Sequence, residues 1–155
     1  MLEVKIIPAK ETYSLRQEIL RPHQDITQCQ YEGDRDSTTK HYGLFATDTL
    51  IGILSLYKRD TNQVSKSEGW QLRAMGIQER FRGRGYASKL LLAAESDAKQ
   101  QGTNYIWANA RKAAVGFYQN YGYSIVGEEF LIQDIGPHYL IYKDIPEKTI
   151  SNETS

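Results

Sequence analysis

The chain has 155 residues, 40% of them apolar, and its nineteen basic and nineteen acidic side chains cancel to a formal charge of zero. A length in this range fits one domain around one core, and a balanced charge excludes a polyanion-binding surface, so nucleic acid is not an expected partner. The single cysteine, Cys29, rules out an internal disulfide, and no apolar run has the length of a signal peptide or membrane span, so a cytoplasmic protein without a membrane partner is expected.

Residues 2–7 alternate loosely and include β-branched side chains, which predicts a strand; 12–20 carry Leu15, Ile19 and Leu20 ahead of Pro22, which predicts a helix. From 22 to 40 apolar residues are few, and Gly33, Asp34, Asp36 and Ser37 favour turns. This reads as a long loop, or a loop with one broken helical turn, of a length that is often functional. Cys29, in the polar run TQCQY, reads as a spare thiol within it.

Residues 42–46 and 50–57 flank Thr47, Asp48 and Thr49 and predict a β-hairpin. A polar connection follows, then a strand over 70–77 that charge and glycine interrupt at 80–85. Ala87, Leu90, Leu91, Ala94 and Ala98 recur at helical spacing ahead of Gly102, which predicts a helix of about four turns. A short buried strand at 105–108, a helix at 113–121 closed by Gly122, and strands at 124–130 and 139–145 complete a single domain over 1–145. Residues 146–155 are polar and aperiodic and are expected to form a flexible tail.

The unit of strand, glycine turn and helix carries the chemistry. In QERFRGRGYASKLL, Gly83 and Gly85 let the backbone approach a ligand, and the helix that follows presents unpaired N–H groups at its positive end. Arg80, Arg82 and Arg84 add charge suited to several phosphates. No Gly-Lys-Ser/Thr follows at the spacing of a Walker loop, and Ser88 stands where a dinucleotide fingerprint needs glycine or alanine. Three histidines and one cysteine form no ligand cluster, so no metal is expected.

The run Arg80-Phe81-Arg82-Gly83-Arg84-Gly85 resembles the Gln/Arg-x-x-Gly-x-Gly/Ala coenzyme A loop of the GNAT superfamily of N-acetyltransferases. Ala114-Val115-Gly116-Phe117-Tyr118, followed by Tyr121-Gly122-Tyr123, is similar to the family's later Ala-x-x-x-Tyr and Gly-Phe pattern. Weaker echoes in 15–20, in Glu32, Asp34 and Asp36, and in Gly136-Pro137-His138 resemble the ElaA-like group. Arg111 stands where many members have asparagine, with Asn109 two residues earlier, and Tyr123 replaces the usual phenylalanine.

The resemblance implies an α+β, three-layer fold with a mixed, mostly antiparallel sheet of about seven strands, helices on both faces and a splay between the fourth and fifth strands. It implies acetyl-CoA as co-substrate, with the backbone N–H groups of Arg82, Gly83, Arg84, Gly85, Tyr86 and Ala87 on the pyrophosphate. Met75, Gly76 and Ile77 would pair with the pantetheine arm, Asn109 would add a coenzyme contact, and a strand N–H near Gly76 or Ile77 would polarise the thioester carbonyl. By residue-for-residue match, Tyr118 is the acid that serves the departing thiolate.

The acceptor side is open in the sequence. An attacking amine must be neutral, and His138, His41 and one of Glu128 and Glu129 are candidates to take its proton, strand alternation sending one glutamate inward. Glu32, Asp34 and Asp36 can attract a cationic amine, and Tyr31, Tyr42, Trp70 and Trp107 can wall a pocket, although Trp107 suits the core better. The expected activity is N-acetylation of a small-molecule or peptide amine; the rivals are a non-catalytic acyl-CoA-binding module and a phosphate-ligand protein. An exposed edge strand near the C-terminus could pair with a second copy, so a homodimer is the expected oligomer.

Overall fold

The computed structural model describes residues 1–146. Of the expected tail only Pro146 is included; 147–155 lie outside the described residues. Strands β1 (Leu2–Ile7), β2 (Lys40–Ala46), β3 (Thr49–Lys58), β4 (Gly69–Ile77), β5 (Tyr105–Arg111), β6 (Ser124–Ile132) and β7 (Gly136–Asp144) form one seven-stranded mixed sheet of order β1-β2-β3-β4-β5-β7-β6. The chain divides into two compact units, Met1–Lys58 with Leu72–Ser96, and Arg59–Gln71 with the chain from Asp97 onward.

In the first unit, β1, β2 and β3 are antiparallel neighbours, Val4 facing Leu44 and Tyr42 facing Leu54. Strand β3 is buried on both faces, with Ile51, Ile53, Leu54 and Leu56 fully inaccessible, each contributing about 1.5–3 kcal/mol of apolar burial. Its odd positions meet the helical segment after β1: Ile53 clusters with Ile7 and Leu15, and Ile19 packs on that cluster. Its even positions meet the opposite helix, since a Cβ on Gly52 would lie 3.3 Å from Leu90.

The segment expected as one helix over 12–20 is a 3-10 turn at Ala9–Thr12, a short α1 at Tyr13–Leu15 and a π turn at Arg16–Leu20. The long loop holds one 3-10 turn, Ile26–Cys29, started by a capping box at Asp25 and Gln28. Cys29, read as a spare loop thiol, is fully buried, and burial pushes its thiol up, towards inertness.

Helix α2 (Ala87–Gln100) buries Leu90, Leu91, Ala94 and Ala98, the stripe read from the sequence. In the second unit β4 and β5 run parallel at Gly69–Tyr105, Trp70–Ile106 and Gln71–Trp107. Strand β5 extends to Arg111, past the expected end at 108, because β7 pairs with it antiparallel all the way to Arg111–His138. The second helix is shorter than expected, a 3-10 turn at Lys112–Ala114 leading into α3 (Val115–Gln119). Tyr105 pins the polar β3–β4 connection, accepting from the Thr61 N–H at 3.0 Å and donating to Asp60 at 3.0 Å.

Candidate active site

Strand β4 carries the first element of the site. Ala74 sits at φ 58 in mid-strand, a left-handed conformation that costs an L-residue about 1–2 kcal/mol. Arg73 stacks on Tyr57, and a Cβ on Gly76 would meet Ile19 at 2.8 Å, so residues three apart face the same helical layer. Unbroken alternation forbids that, and Ala74 therefore acts as a bulge that re-aims Met75, Gly76 and Ile77. Strain of this kind persists where a site needs it. Ala74→Gly is expected to raise stability by about 1 kcal/mol, read as a higher urea midpoint, because glycine adopts this conformation without the Cβ penalty.

Past Ile77 the chain turns through Glu79–Phe81 into the glycine loop. The Gln78 N–H donates to the Ile51 carbonyl at 2.8 Å and Arg82 Nε to the Ile77 carbonyl at 2.9 Å, which fixes the loop's entry. Arg80 and Arg84 flank the Phe81 ring at 4.9 and 5.7 Å and stay exposed, as does Arg82. Gly83 and Gly85 both have φ +76, and a Cβ on either would meet nothing within 4 Å, so the loop is open on the side a ligand would occupy.

Among the described residues, the N–H groups of Gly83, Arg84, Gly85 and Tyr86 donate to no protein acceptor, and the fourteen-residue α2 begins directly after them. A run of free N–H groups at a positive helix end, ringed by three guanidiniums, fits a pyrophosphate without any specific side chain. Met75, Gly76, Ile77, Arg80, Arg82, Gly83, Arg84, Gly85, Tyr86 and Ala87 are thus gathered in the first unit.

Other expected residues lie in the second unit. Tyr118 is 6% exposed, packed edge-on against Phe117 at 5.3 Å and Tyr123 at 5.4 Å. Its hydroxyl has no protein hydrogen-bond partner among the described residues, and burial raises its pKa well above the usual phenol value. Asn109 is exposed on β5, opposite Leu140. His138 is buried on β7, with Nδ1 2.8 Å from the Gly136 carbonyl oxygen; a carbonyl only accepts, so Nδ1 carries hydrogen and Nε2 is the accepting nitrogen of the neutral ring.

Glu129 departs from the alternation expected of β6. The register of β6 on β7 shifts between Val126 and Phe130, Gly127 adopts φ +76, and both Glu128 and Glu129 are exposed. Lys112 at 3.0 Å holds the Glu129 carboxyl below its ordinary pKa, and the Tyr139 hydroxyl donates to it at 3.2 Å. Because Tyr139 and His138 are successive residues of one strand, Glu129 and His138 occupy opposite faces of the hairpin. Trp70, expected as a pocket wall, is 5% exposed within β4, and Trp107 Nε1 donates to the Arg59 carbonyl at 2.8 Å.

The acidic loop also departs from its reading. Glu32 and Asp36 are exposed, but Asp34 is 6% exposed and its carboxylate faces inward. Arg16, fully buried, binds it with Nη1 at 2.7 Å and Nη2 at 3.0 Å, while the Tyr57 hydroxyl donates at 2.5 Å and the Tyr31 N–H at 2.8 Å. Burial alone would raise the Asp34 carboxyl; the bonds from Arg16, Tyr57 and Tyr31 outweigh it and hold it low. His41 is buried beside this cluster, with Nδ1 2.7 Å from Ser55 Oγ and Nε2 2.8 Å from the Asp34 carbonyl oxygen. Both ring nitrogens are engaged and burial depresses its pKa, so His41 is a structural imidazole. Sequence reasoning missed Arg16, Ser55, Tyr57 and Arg73; the one available signal was an arginine directly after Leu15 on an apolar helical face.

A bulged strand that delivers its chain to an open glycine turn at the head of a long helix defines an acyl-CoA-dependent transferase. Residues 8–123 match the Acetyltransferase (GNAT) family. The chain is 37% identical over 145 residues to YitI of Bacillus subtilis (strain 168), described as an uncharacterized N-acetyltransferase, covering 94% of this chain and 97% of that one. In fold it is similar to Escherichia coli ElaA, with a TM-score of 0.73, 16% identity and coverage of 92% and 99%. It is likewise similar to a Bacillus subtilis acetyltransferase in complex with CoA, with a TM-score of 0.67, 20% identity and coverage of 94% and 100%. The chain belongs to the GNAT family of acetyltransferases. It is an N-acetyltransferase that takes its acyl group from acetyl-CoA.

Proposed function

We propose that this protein transfers the acetyl group of acetyl-CoA directly to a primary amine of a small molecule or peptide. The observation that carries the reading is the run of unengaged N–H groups from Gly83 to Tyr86 at the start of α2, which supplies a pyrophosphate cradle next to the re-aimed end of β4. The Arg82 N–H is taken by the Glu79 carbonyl at 3.1 Å, so the N–H groups from Gly83 to Ala87 hold the pyrophosphate, and the main chain of Met75, Gly76 and Ile77 pairs with the pantetheine arm.

In the reaction the amine nitrogen attacks the thioester carbonyl, the C–N bond forms and the C–S bond breaks. An N–H at Gly76 or Ile77 stabilises the negative charge that develops on the carbonyl oxygen. Tyr118 gives a hydrogen bond, and then its proton, to the departing sulfur. The accepting Nε2 of His138 makes it the better candidate to remove the ammonium proton, since Lys112 lowers the Glu129 pKa and so makes that carboxylate a weaker base. We place the protein in the cytoplasm and treat residues 1–145 as one functional domain.

The test mixes purified protein with acetyl-CoA and a panel of amines, amino acids, polyamines and short peptides, following free thiol. Release that depends on an acceptor, with the acetylated amine seen by mass spectrometry, is the expected result. Acetyl-CoA that shifts the melting temperature without any turnover would instead support a sensing module, and no shift at all would sink both.

A further inference from the structure

Strand β1 is the outermost strand of the first unit and is paired to β2 along one side; among the described residues no strand lies on its other side. The Thr47 N–H donates to the Met1 carbonyl at 2.8 Å, and an antiparallel strand bonds a given neighbour through alternate residues, so Met1, Glu3, Lys5 and Ile7 bond towards β2. The N–H and carbonyl groups of Leu2, Val4 and Ile6 therefore point away from the sheet. Ile7 belongs to the cluster with Leu15 and Ile53, so alternation puts Glu3 and Lys5 on that face and Leu2, Val4 and Ile6 on the opposite one. Ile6 is 60% exposed and Leu2 and Val4 are half-buried, while Glu3 and Lys5 stand at the surface, 3.8 Å apart.

The run Leu2-Glu3-Val4-Lys5-Ile6 complements itself when it is laid antiparallel on a copy of itself about Val4. Val4 then faces Val4, Leu2 faces Ile6, and Glu3 faces Lys5. The apolar pairs fall on the residues whose backbone groups point outward, so each can exchange both hydrogen bonds with its opposite. The charged pairs fall on the intervening positions, where opposed side chains approach more closely. Moving the axis to Glu3 or to Lys5 would keep the backbone bonds but set like charge against like. A slip by one residue would oppose outward groups with inward ones. A lysine standing alone guards an edge against pairing; with glutamate at the mirror position it selects one register instead.

We propose that β1 is the contact between two copies of this chain, an antiparallel β1–β1 pair on a two-fold axis at Val4 that continues the sheet of one copy into the other. This puts the homodimer at the N-terminal edge instead of the C-terminal edge expected from the sequence. The inference does not depend on acetyl transfer, since none of these residues belongs to the end of β4 or to the glycine turn. Within one chain the exposed Glu3–Lys5 pair contributes little; across the axis the same charges alternate in a network of two copies.

Sedimentation velocity on the full chain at about 100 µM, a concentration that populates a small edge contact, is expected to give twice the 17.7 kDa mass of one chain. Lys5→Glu sets carboxylate against carboxylate at the axis and Glu3→Lys sets ammonium against ammonium, so each is expected to weaken self-association about tenfold or more. Mixed in equal amounts, the two variants are expected to associate again as a heterodimer, because every charge of one then meets its opposite on the other. The double variant Glu3→Lys with Lys5→Glu is expected to pair as the wild type does. Misfolding could not be reversed by mixing, so the recovery reads the contact and not the fold. Val4→Pro removes an outward N–H and no bond to β2, and is expected to give a monomer with an unchanged circular dichroism spectrum. A wild-type chain of single mass at that concentration overturns the proposal, and so does a dimer that Lys5→Glu and Val4→Pro leave intact, or a mixture of the two charge variants that stays monomeric.

Discussion

Tyr118→Phe is expected to lower kcat for acetyl transfer by about 10²–10⁴-fold, the usual worth of a positioned acid, while acetyl-CoA binding changes little. The ring would remain where it is, because its edge-on contacts with Phe117 and Tyr123 do not involve the oxygen. What disappears is a hydroxyl with no protein partner to lose, so folding stability should hardly move. Burial raises the Tyr118 pKa, which keeps the proton in place across the working range but makes the phenol a weaker acid than a thiol of pKa ~8.5. In the proposed reaction the hydroxyl would therefore act by hydrogen-bonding sulfur as charge builds, with proton transfer completed late. Stopped-flow thiol release and a thermal melt check this together: a large loss of Tm, or unchanged kcat, would return Tyr118 to a packing role.

Arg16→Leu is expected to cost about 3–5 kcal/mol, a large share of the roughly 5–15 kcal/mol that holds a domain of this size together. The loss is not the sum of hydrogen bonds removed but the carboxylate of Asp34 left buried with only Tyr57 and one N–H to answer it. Pairing the change with Asp34→Leu should recover part of the stability, because no charge then stays buried alone. Urea denaturation of the single and double variants measures both.

The same cluster sets the response to acid. His41 has its folded pKa depressed below the ordinary 6.5, so the unfolded chain takes up a proton first and stability declines as pH falls below about that value. Asp34 is depressed below 3.8, so its contribution is complete above that pH and is lost as the pH falls through its lower folded value. A two-stage fall in the urea midpoint, its upper stage absent in His41→Gln, is the expected signature.

Much of this fold is written locally, and the parts that are not have identifiable causes. The glycine turn and α2 are legible because left-handed glycines, helix start and apolar stripe occupy consecutive residues from Gly83 to Ala98. The β2–β3 hairpin is legible for the same reason. Arg16 was hidden because its partner stands eighteen positions away in a loop with no periodicity, and nothing near Asp34 distinguishes an internal carboxylate from a solvated one. The inward glutamate expected on β6 failed at Gly127, where a register shift breaks the two-residue rhythm that the inference required. Ala74 is a similar case, since alanine gives no sign of a left-handed conformation, yet that residue decides that Arg73 and Gly76 share a face.

Strand β6 closes the sheet, with β7 as its neighbour. An outermost strand of nine residues is a template for indiscriminate zipping of chain to chain, and Leu131, 77% exposed, would add to the adhesion. The shift at Gly127 bends the template, and Glu128 and Glu129 stand exposed in the middle of it. Two copies laid edge to edge in antiparallel fashion would crowd four carboxylates near their centre. Replacing that pair of glutamates with threonines would leave an uncharged edge, bent only at Gly127, and the outcome to watch for in a concentrated solution is turbidity.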